Sequence, residues 1–213
     1  MKETKRQDIV RFLNSRVSTD DTRPFMNHVI YVQNVGFIAT DGRELAIVQC
    51  NALASDEIDN NWNIITKTVN NHKYQFVTFD KKQERFVFDE DMNKSDYQFP
   101  TYNKVIPDIS KYECYDLLNT TVGRTDYANI IPEIERKAYI NAQYLDFPEL
   151  NDIIMAVDPL NVNHPVVFTF SGSYKKHTMG RYSFEYKCLY IVIPMERNGE
   201  VSKTDINIYD FAK

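Results

Sequence analysis

The chain has 213 residues, of which 43% are hydrophobic and 26% charged, and its formal net charge is −5. This hydrophobic content can build a buried core and so argues against a globally disordered chain. The negative charge argues against binding nucleic acid through bulk charge, so any such contact needs a local basic face. The 14 tyrosines and 13 phenylalanines, beside only 6 glycines, favour sheets over helix bundles.

The first half of the chain predicts one helix followed by short strands. Apolar residues at three- and four-residue spacing predict a helix over 3–17. Three β-type runs follow it, at 28–33, 36–40 and 44–50. Asp41-Gly42 lies between the last two runs and predicts a tight hairpin turn, because this dipeptide tolerates positive φ angles.

The middle of the chain predicts further β-structure. Residues 51–61 are polar and predict a loop, and the β-branched run 62–69 predicts a strand. Alternating aromatic residues predict a hairpin over 73–88, followed by a charged loop over 89–96. Two prolines predict an extended connector over 99–108.

The second half predicts one more helix and several strands. Residues 111–118 are compatible with a short helix and 132–140 with a strand, and 141–157 is the second helix candidate. Strands are predicted at 165–173, 181–187 and 188–195. A tail follows, and its apolar end adds an edge strand, stays disordered or occupies a pocket.

No arrangement of residues predicts catalysis. The four histidines lack metal-ligand spacing, and phosphate-binding glycine loops and a nucleophile elbow are absent from the sequence. Asp146, Glu149 and Asp152 have helical spacing, which suits a solvated acidic face, a cation site or a small hydrolase. We expect the solvated face, and therefore no enzymatic activity, no bound metal and no cofactor.

The cysteines and the N-terminal segment indicate in which cellular compartment the protein is found. Cys50, Cys114 and Cys188 are widely spaced, which predicts free thiols in a reducing environment. The N-terminal segment lacks the apolar region of a signal peptide, and no apolar run reaches the roughly 18 residues of a membrane span. We therefore expect a cytoplasmic protein without membrane contact.

Three segments in order resemble the β subunit of bacterial DNA polymerase III, the sliding clamp. "TRPFMNHV" and "IATDGRELA", within 18–48, resemble the family's "TRP-x-L-N-x-V" run and "VATDGHRLA" hairpin. "YQFPTYNKVIP" (97–107) resembles "G-R-F-P-D-Y-R-R-V-I-P". Residues 139–195 end in "LYIVIPM", which resembles the "YVVMPMRL" that closes the family's last domain.

The resemblance implies an α+β, DNA-clamp-like fold with antiparallel sheets, few helices and helix-then-meander units. Residues 1–107 would correspond to the clamp's middle domain, 108–197 to its last domain with a shortened first half, and 198–213 to a tail. The family is not enzymatic: it encircles duplex DNA and tethers polymerases. A chain of two such domains would close a six-domain ring as a homotrimer.

The resemblance also implies a pocket between the two domains for short peptides of DNA polymerases or clamp loaders. Carried over residue by residue, it would be lined by Met26, Thr40, Gly42, Arg43, Leu45, Pro100, Val105, Val192, Ile193, Pro194 and Met195. The basic residues near the N-terminus are either surface charges or the DNA-facing set, namely Lys2, Lys5, Arg6, Arg11 and Arg16.

The chain departs from the family pattern in ways that leave a second function open. Glu44 stands where the family usually has arginine, and the segment with Asp146 is acidic where a hole-lining helix would approach phosphates. A phage- or mobile-element-encoded processivity factor is one expectation. The alternative is a monomeric adaptor with the clamp fold and pocket that does not encircle DNA.

Overall fold

The elements of the protein are seen in a computed structural model, which describes residues 6–116, 139–141, 152–161, 163–175, 183–194 and 205–207. Its α-helices are α1 (Arg6–Asn14), α2 (Asp56–Asn60) and α3 (Glu90–Lys94). Its strands are β1 (Val29–Val32), β2 (Gly36–Thr40), β3 (Glu44–Gln49), β4 (Thr68–Val69), β5 (His72–Asp80), β6 (Arg85–Phe88), β7 (Glu113–Asp116), β8 (Tyr139–Asn141), β9 (Asp152–Val157), β10 (Val166–Lys175), β11 (Ser183–Val192) and β12 (Asp205–Asn207). This part of the chain is therefore mixed α/β, with a large antiparallel sheet and few helices.

Helix α1 forms where the sequence predicts it. Its apolar residues recur at helical spacing, and Ile9 and Leu13 are fully buried, whereas Arg11 is exposed. Asp8 lies in the first turn, where a negative charge stabilises the helix dipole. The prediction of a helix over 3–17 is confirmed for Arg6–Asn14.

The main sheet contains strands from both halves of the described chain. The strand order is β4-β5-β1-β2-β3-β11-β10-β9-β7, with β6 paired to β5. Strands β3 and β11 pair antiparallel, with Leu45 opposite Ile191 and Ile47 opposite Leu189. The strands of the first predicted domain, 1–107, thus share one sheet with β7, β9, β10 and β11 of the second, 108–197.

The sheet buries apolar side chains on both faces. On the face that we call the helix side, α1 packs through Phe12 against the rings of Phe170 and Tyr190, at centroid distances of 5.5 and 5.4 Å. On the opposite face, the connector side, Phe99 and Tyr102 belong to a second buried cluster. Because side chains alternate along a strand, neighbouring residues of one strand serve different cores.

Several local predictions in the first half are wrong. Residues 51–61 and 89–96, predicted as loops, contain helices α2 and α3. Helix α3 begins because the Asp89 carboxylate accepts a hydrogen bond from the Met92 N–H at 3.0 Å, which caps the free amides. Within 62–69 only Thr68–Val69 is a strand, while Asn61–Asn63 is a 3-10 helix.

Other predictions for the first half are confirmed. The three strands after α1 form at 29–32, 36–40 and 44–49, and the hairpin predicted over 73–88 forms as β5 and β6. The connector, residues 99–108, is extended at Ile106 and Asp108, whereas Tyr102 has a helical backbone conformation and Asn103–Val105 forms a 3-10 helix.

In the second half, the helix predictions are wrong where the structure describes the residues. Glu113–Asp116 forms strand β7 instead of a short helix, and Asp152–Val157 forms strand β9 instead of the end of the 141–157 helix. Strand β9 lies between β7 and β10, so a neighbour on each side satisfies its backbone. The rest of the helix candidate, 142–151, lies outside the described residues.

The C-terminal strand predictions are confirmed with changed bounds. Strand β11 runs unbroken over 183–192, where two strands were predicted, and β10 pairs with it along its whole length. In the tail, Ile206 of β12 pairs with Ile140 of β8 in a separate two-stranded sheet. The edge-strand prediction for the tail is therefore confirmed for Asp205–Asn207.

Candidate functional site

A cavity of about 130 Å³ lies on the connector side of the sheet. It forms where the β2–β3 hairpin, the connector and the end of β11 meet. Its lining residues are Met26, Thr40, Gly42, Arg43, Glu44, Leu45, Pro100, Thr101, Tyr102, Val105, Ile191 and Ile193. The lining is mostly apolar, and Val105 and Ile193 at its mouth are 38% and 40% exposed.

Most of the residues that the resemblance places in a peptide pocket line this one cavity. They come from distant parts of the chain and are Met26, Thr40, Gly42, Arg43, Leu45, Pro100, Val105 and Ile193. The fold therefore brings the residues of the three family-like segments to one place.

Three residues of the predicted pocket are not among the described residues that line the cavity. Val192 is fully buried on the helix side, because its neighbours Ile191 and Ile193 face the cavity and side chains alternate along a strand. Pro194 is buried away from the lining, and Met195 lies outside the described residues. Ile191 takes the place expected of Val192, and the strand alternation in the sequence was the signal that could have identified it.

Sequence reasoning also missed Glu44, Thr101 and Tyr102 as lining residues. Tyr102 is 6% exposed and belongs to the connector-side core, so it is both a core and a cavity residue. The two prolines of the connector indicated an extended segment but did not indicate which of its side chains turn toward the sheet.

The hairpin loop, residues 41–44, forms one wall of the cavity. Thr40 and Leu45 are the last paired residues, so the loop is wider than the predicted two-residue turn. Asp41 Oδ1 accepts hydrogen bonds from the N–H groups of Arg43 and Glu44, at 2.7 and 2.9 Å. Thr40 Oγ1 donates to the Glu44 carbonyl oxygen at 2.6 Å and accepts from the Gly42 N–H at 3.1 Å. These bonds fix the loop from within.

Gly42 allows the loop to pack against the next wall. Its φ angle is 92°, in the region that favours glycine. A Cβ atom at this position would lie 3.2 Å from the Met26 methyl carbon and 3.1 Å from Arg23 Nη1. The close approach of loop and Met26 therefore depends on a residue without a side chain.

The connector wall is held by polar groups behind it. Lys67, which is 7% exposed, donates from Nζ to the carbonyl oxygens of Ser95 and Tyr97, at 2.6 and 2.7 Å. The Tyr74 hydroxyl accepts from the Phe99 N–H at 2.8 Å. Burial lowers the pKa of Lys67 and raises that of Tyr74. The start of the connector is thus tied to the sheet just before it reaches the cavity.

A buried ion pair lies behind the hairpin wall, on the helix side. Arg16 Nη1 donates to Glu44 Oε2 at 3.2 Å, and the two side chains are 2% and 3% exposed. The Tyr190 hydroxyl donates to the same oxygen. Burial raises the pKa of Glu44 to about 7, and the charge of Arg16 acts in the opposite direction.

The buried pair corrects the predicted DNA-facing set. Arg16 is inside the protein and pairs with Glu44, so the prediction that it faces DNA is wrong. Arg11 is exposed on α1, as that prediction requires, and Arg6 begins the helix. Lys2 and Lys5 lie outside the described residues.

Metal-binding clusters are absent from the described residues, among which no three His, Cys, Asp or Glu side chains lie close enough together to hold a metal ion. Of the acidic cluster, Asp146 and Glu149 lie outside the described part of the chain. Asp152 begins strand β9, so the helical spacing expected for it does not hold. None of the helices described is long and apolar enough to cross a membrane.

Comparison of the chain with family models, with curated proteins and with solved structures gives no match.

Proposed function

We propose that this protein is a non-enzymatic, sliding-clamp-like processivity factor that docks peptides of a DNA polymerase or clamp loader in the cavity. The observation that carries the proposal is the convergence of three distant segments on one apolar cavity. Leu45 comes from the hairpin, Pro100 from the connector and Ile193 from the end of the last long strand. These are the segments in which the chain resembles the sliding clamp.

The size of the cavity sets what part of a peptide it holds. Ligand pockets for drug-sized molecules measure roughly 300–1,000 Å³, whereas this cavity measures about 130 Å³. A cavity of roughly 150 Å³ holds one benzene molecule. The cavity therefore suits a single apolar side chain of a peptide, and the rest of the peptide lies along the exposed mouth at Val105 and Ile193.

The mouth is suited to an adaptable peptide contact. Met26 contributes a flexible, polarizable side chain to the wall. Arg43 lies at the rim and is exposed, so it adds a positive charge beside an apolar opening. Apolar pockets with a few polar groups at the edge are typical of sites that bind one anchor residue.

The second candidate is a clamp-fold adaptor that binds the same peptides without encircling DNA. The burial of Arg16 favours it, because this removes a positive charge from the helix expected to approach phosphates. In this function the protein is a monomer, whereas a processivity ring is an oligomer. In both, the proposed location is the cytoplasm.

Peptide docking is tested by calorimetry with a short synthetic peptide that carries an aliphatic and an aromatic residue near one end. The same peptide with both residues replaced by alanine is the control. Saturable binding of the first peptide only is the expected result. Equal binding of both peptides, or of neither, contradicts the proposal.

The two candidate functions are separated by native mass and by DNA binding. A trimer that is retained on circular duplex DNA identifies the ring. A monomer whose DNA binding is weak and falls with salt identifies the adaptor, with a slope of log K against log salt of roughly −0.9 for each phosphate neutralised.

A further inference from the structure

The hairpin wall of the cavity is connected to the core through one carboxylate. Glu44 lines the cavity, and its side chain passes to the helix side, where Oε2 accepts hydrogen bonds from Arg16 and Tyr190. The Arg16 guanidinium also lies over the rings of Phe12 and Tyr190, at 4.8 and 5.0 Å from their centroids. The carboxylate is therefore held by the turn that follows α1 on one side and by β11 on the other.

We propose that Arg16 and Tyr190 are positioning residues for the cavity. Acting through the Glu44 carboxylate, they hold the hairpin loop 41–44 in the position that keeps the cavity open to a peptide side chain. This inference rests on the proposed function, since it concerns the control of the same site.

The hydrogen bonds of the loop transmit the position of Glu44 to the cavity wall. The Glu44 N–H and C=O groups are bonded to Asp41 Oδ1 and Thr40 Oγ1. Asp41 Oδ1 also accepts from the Arg43 N–H, and the Arg43 carbonyl oxygen accepts from the Ile193 N–H at 3.0 Å. A shift of the Glu44 carboxylate thus moves the loop and its bond to the opposite wall together.

The charge of Glu44 decides how firmly this connection holds. The groups that face it are Arg16 from the turn after α1, Tyr190 from β11 and Asp41 from the loop itself. The charge of Asp41 adds to the rise in the pKa of Glu44. The nearby Cys188 thiol stays neutral, because burial raises its pKa well above the usual value. One oxygen that accepts two hydrogen bonds suits an ionised carboxylate.

Protonation of Glu44 should loosen the wall. A neutral carboxyl is a weaker hydrogen-bond acceptor than a carboxylate, so the bonds from Arg16 and Tyr190 weaken. If only the ionised form holds the wall, the peptide affinity follows the ionised fraction of Glu44. The affinity then rises by up to about tenfold from about pH 6 to about pH 8.

The test compares Tyr190→Phe with Tyr186→Phe. Both change a buried tyrosine on the same face of β11, but Tyr186 lies four residues away along the strand, opposite Gly172. The readouts are the pH profile of the affinity for the aliphatic–aromatic peptide probe and the hydrogen exchange of the amides of residues 42–45. We expect Tyr190→Phe to weaken peptide binding and speed this exchange, and Tyr186→Phe to change neither.

A double variant without the two buried charges distinguishes an effect on the position of the loop from an effect on the stability of the whole protein. In Arg16→Met/Glu44→Met, the buried charges are replaced by apolar side chains, which often leaves stability unchanged or improved. We expect this variant to melt at or above the wild-type temperature, to bind the peptide more weakly than the wild type does at about pH 8, and to show no dependence of the affinity on pH. A wild-type pH profile in this variant, or unchanged loop exchange in Tyr190→Phe, overturns the inference.

Failure of the proposed function gives a different result. If the wild-type protein binds no peptide, docking is refuted. The exchange of amides 42–45 in wild type and Tyr190→Phe, measured across the pH range of the Glu44 titration, still decides whether the pair positions the loop.

Discussion

Leu45 and Ile191 lie directly opposite each other across strands β3 and β11, and both line the cavity. The next pair along the same strands, Ala46 and Tyr190, is buried in the helix-side core. The cavity floor therefore exists only when the hairpin near the N-terminus pairs with a strand near the C-terminus. A substitution at Ala46 or Tyr190 in the helix-side core is therefore next to a cavity residue on the same strand.

Replacing Ile193 by aspartate should abolish peptide docking without unfolding the protein. Ile193 lines the cavity but is 40% exposed, so a charge there blocks an apolar anchor and remains hydrated. We expect the affinity in calorimetry to fall by about tenfold or more. Ile154→Asp is the matched control, since Ile154 is 44% exposed on the same sheet face and lies away from the cavity. An equal loss in both variants would argue against docking at this site.

Replacing Gly172 by alanine should destabilise the fold. A Cβ atom on Gly172 would lie 2.4 Å from the hydroxyl oxygen of Tyr186, whose ring is 1% exposed. The ring must move within a packed core, so we expect a loss of about 1–3 kcal/mol in the free energy of unfolding. Urea denaturation measures this loss. The double variant Gly172→Ala/Tyr186→Leu should lose less than the two single changes added together, because the clash is removed.

The free energy of unfolding should depend on the pH through Glu44. The pKa of Glu44 is raised from an ordinary 4.5 to about 7 in the folded protein. A raised carboxyl pKa means that the folded state binds the proton more tightly. Its contribution to stability is therefore complete below about pH 4.5 and is lost as the pH rises through about pH 7. We expect this contribution to be on the order of 3 kcal/mol.

The measurement is urea unfolding at several pH values for the wild type and Glu44→Gln. The difference between the two proteins isolates Glu44 from the histidines, which titrate in the same range. A difference that stays constant between about pH 5 and about pH 8 would contradict the raised pKa. The two pH effects have different origins: ionised Glu44 costs folding free energy, yet the ionised form is the one that holds the loop.

Replacing Lys67 by methionine should loosen the connector. The change leaves the part-buried carbonyl oxygens of Ser95 and Tyr97 without their donor, at about 1 kcal/mol for each hydrogen bond lost. We expect a lower melting temperature and faster proteolysis within the connector. Lys104→Met changes an exposed lysine on the connector itself and should leave both unchanged. Equal effects of the two variants would show that the Lys67 bonds do not anchor the connector.

Deletion of 199–213 should leave peptide affinity unchanged. In the structure, Asp205–Asn207 pairs with Tyr139–Asn141 in a separate two-stranded sheet. This part of the tail therefore has a strand partner of its own. A higher affinity for the peptide after the deletion, measured by calorimetry, would show instead that the tail competes for the site.

Local patterns in the sequence determined the elements that depend on near neighbours. The helical spacing of Ile9 and Leu13 predicted α1, and the alternating aromatics of 73–88 predicted a hairpin. The three family-like segments also indicated most of the cavity lining. Each of these patterns lies in a short stretch whose local preference for helix or strand agrees with the packing around it in the folded protein.

Only the tertiary structure decided the features that depend on distant neighbours. Asp152–Val157 is a strand because β7 and β10 pair with it on both sides, which overrides its helical spacing. Arg16 looked like a surface charge on a basic helix, yet Glu44 and Tyr190 lie where its guanidinium enters the core. A buried charge is stable only beside its partner, and here the partners come from β3 and β11, two neighbouring strands in the middle of the sheet that are distant from Arg16 in the sequence.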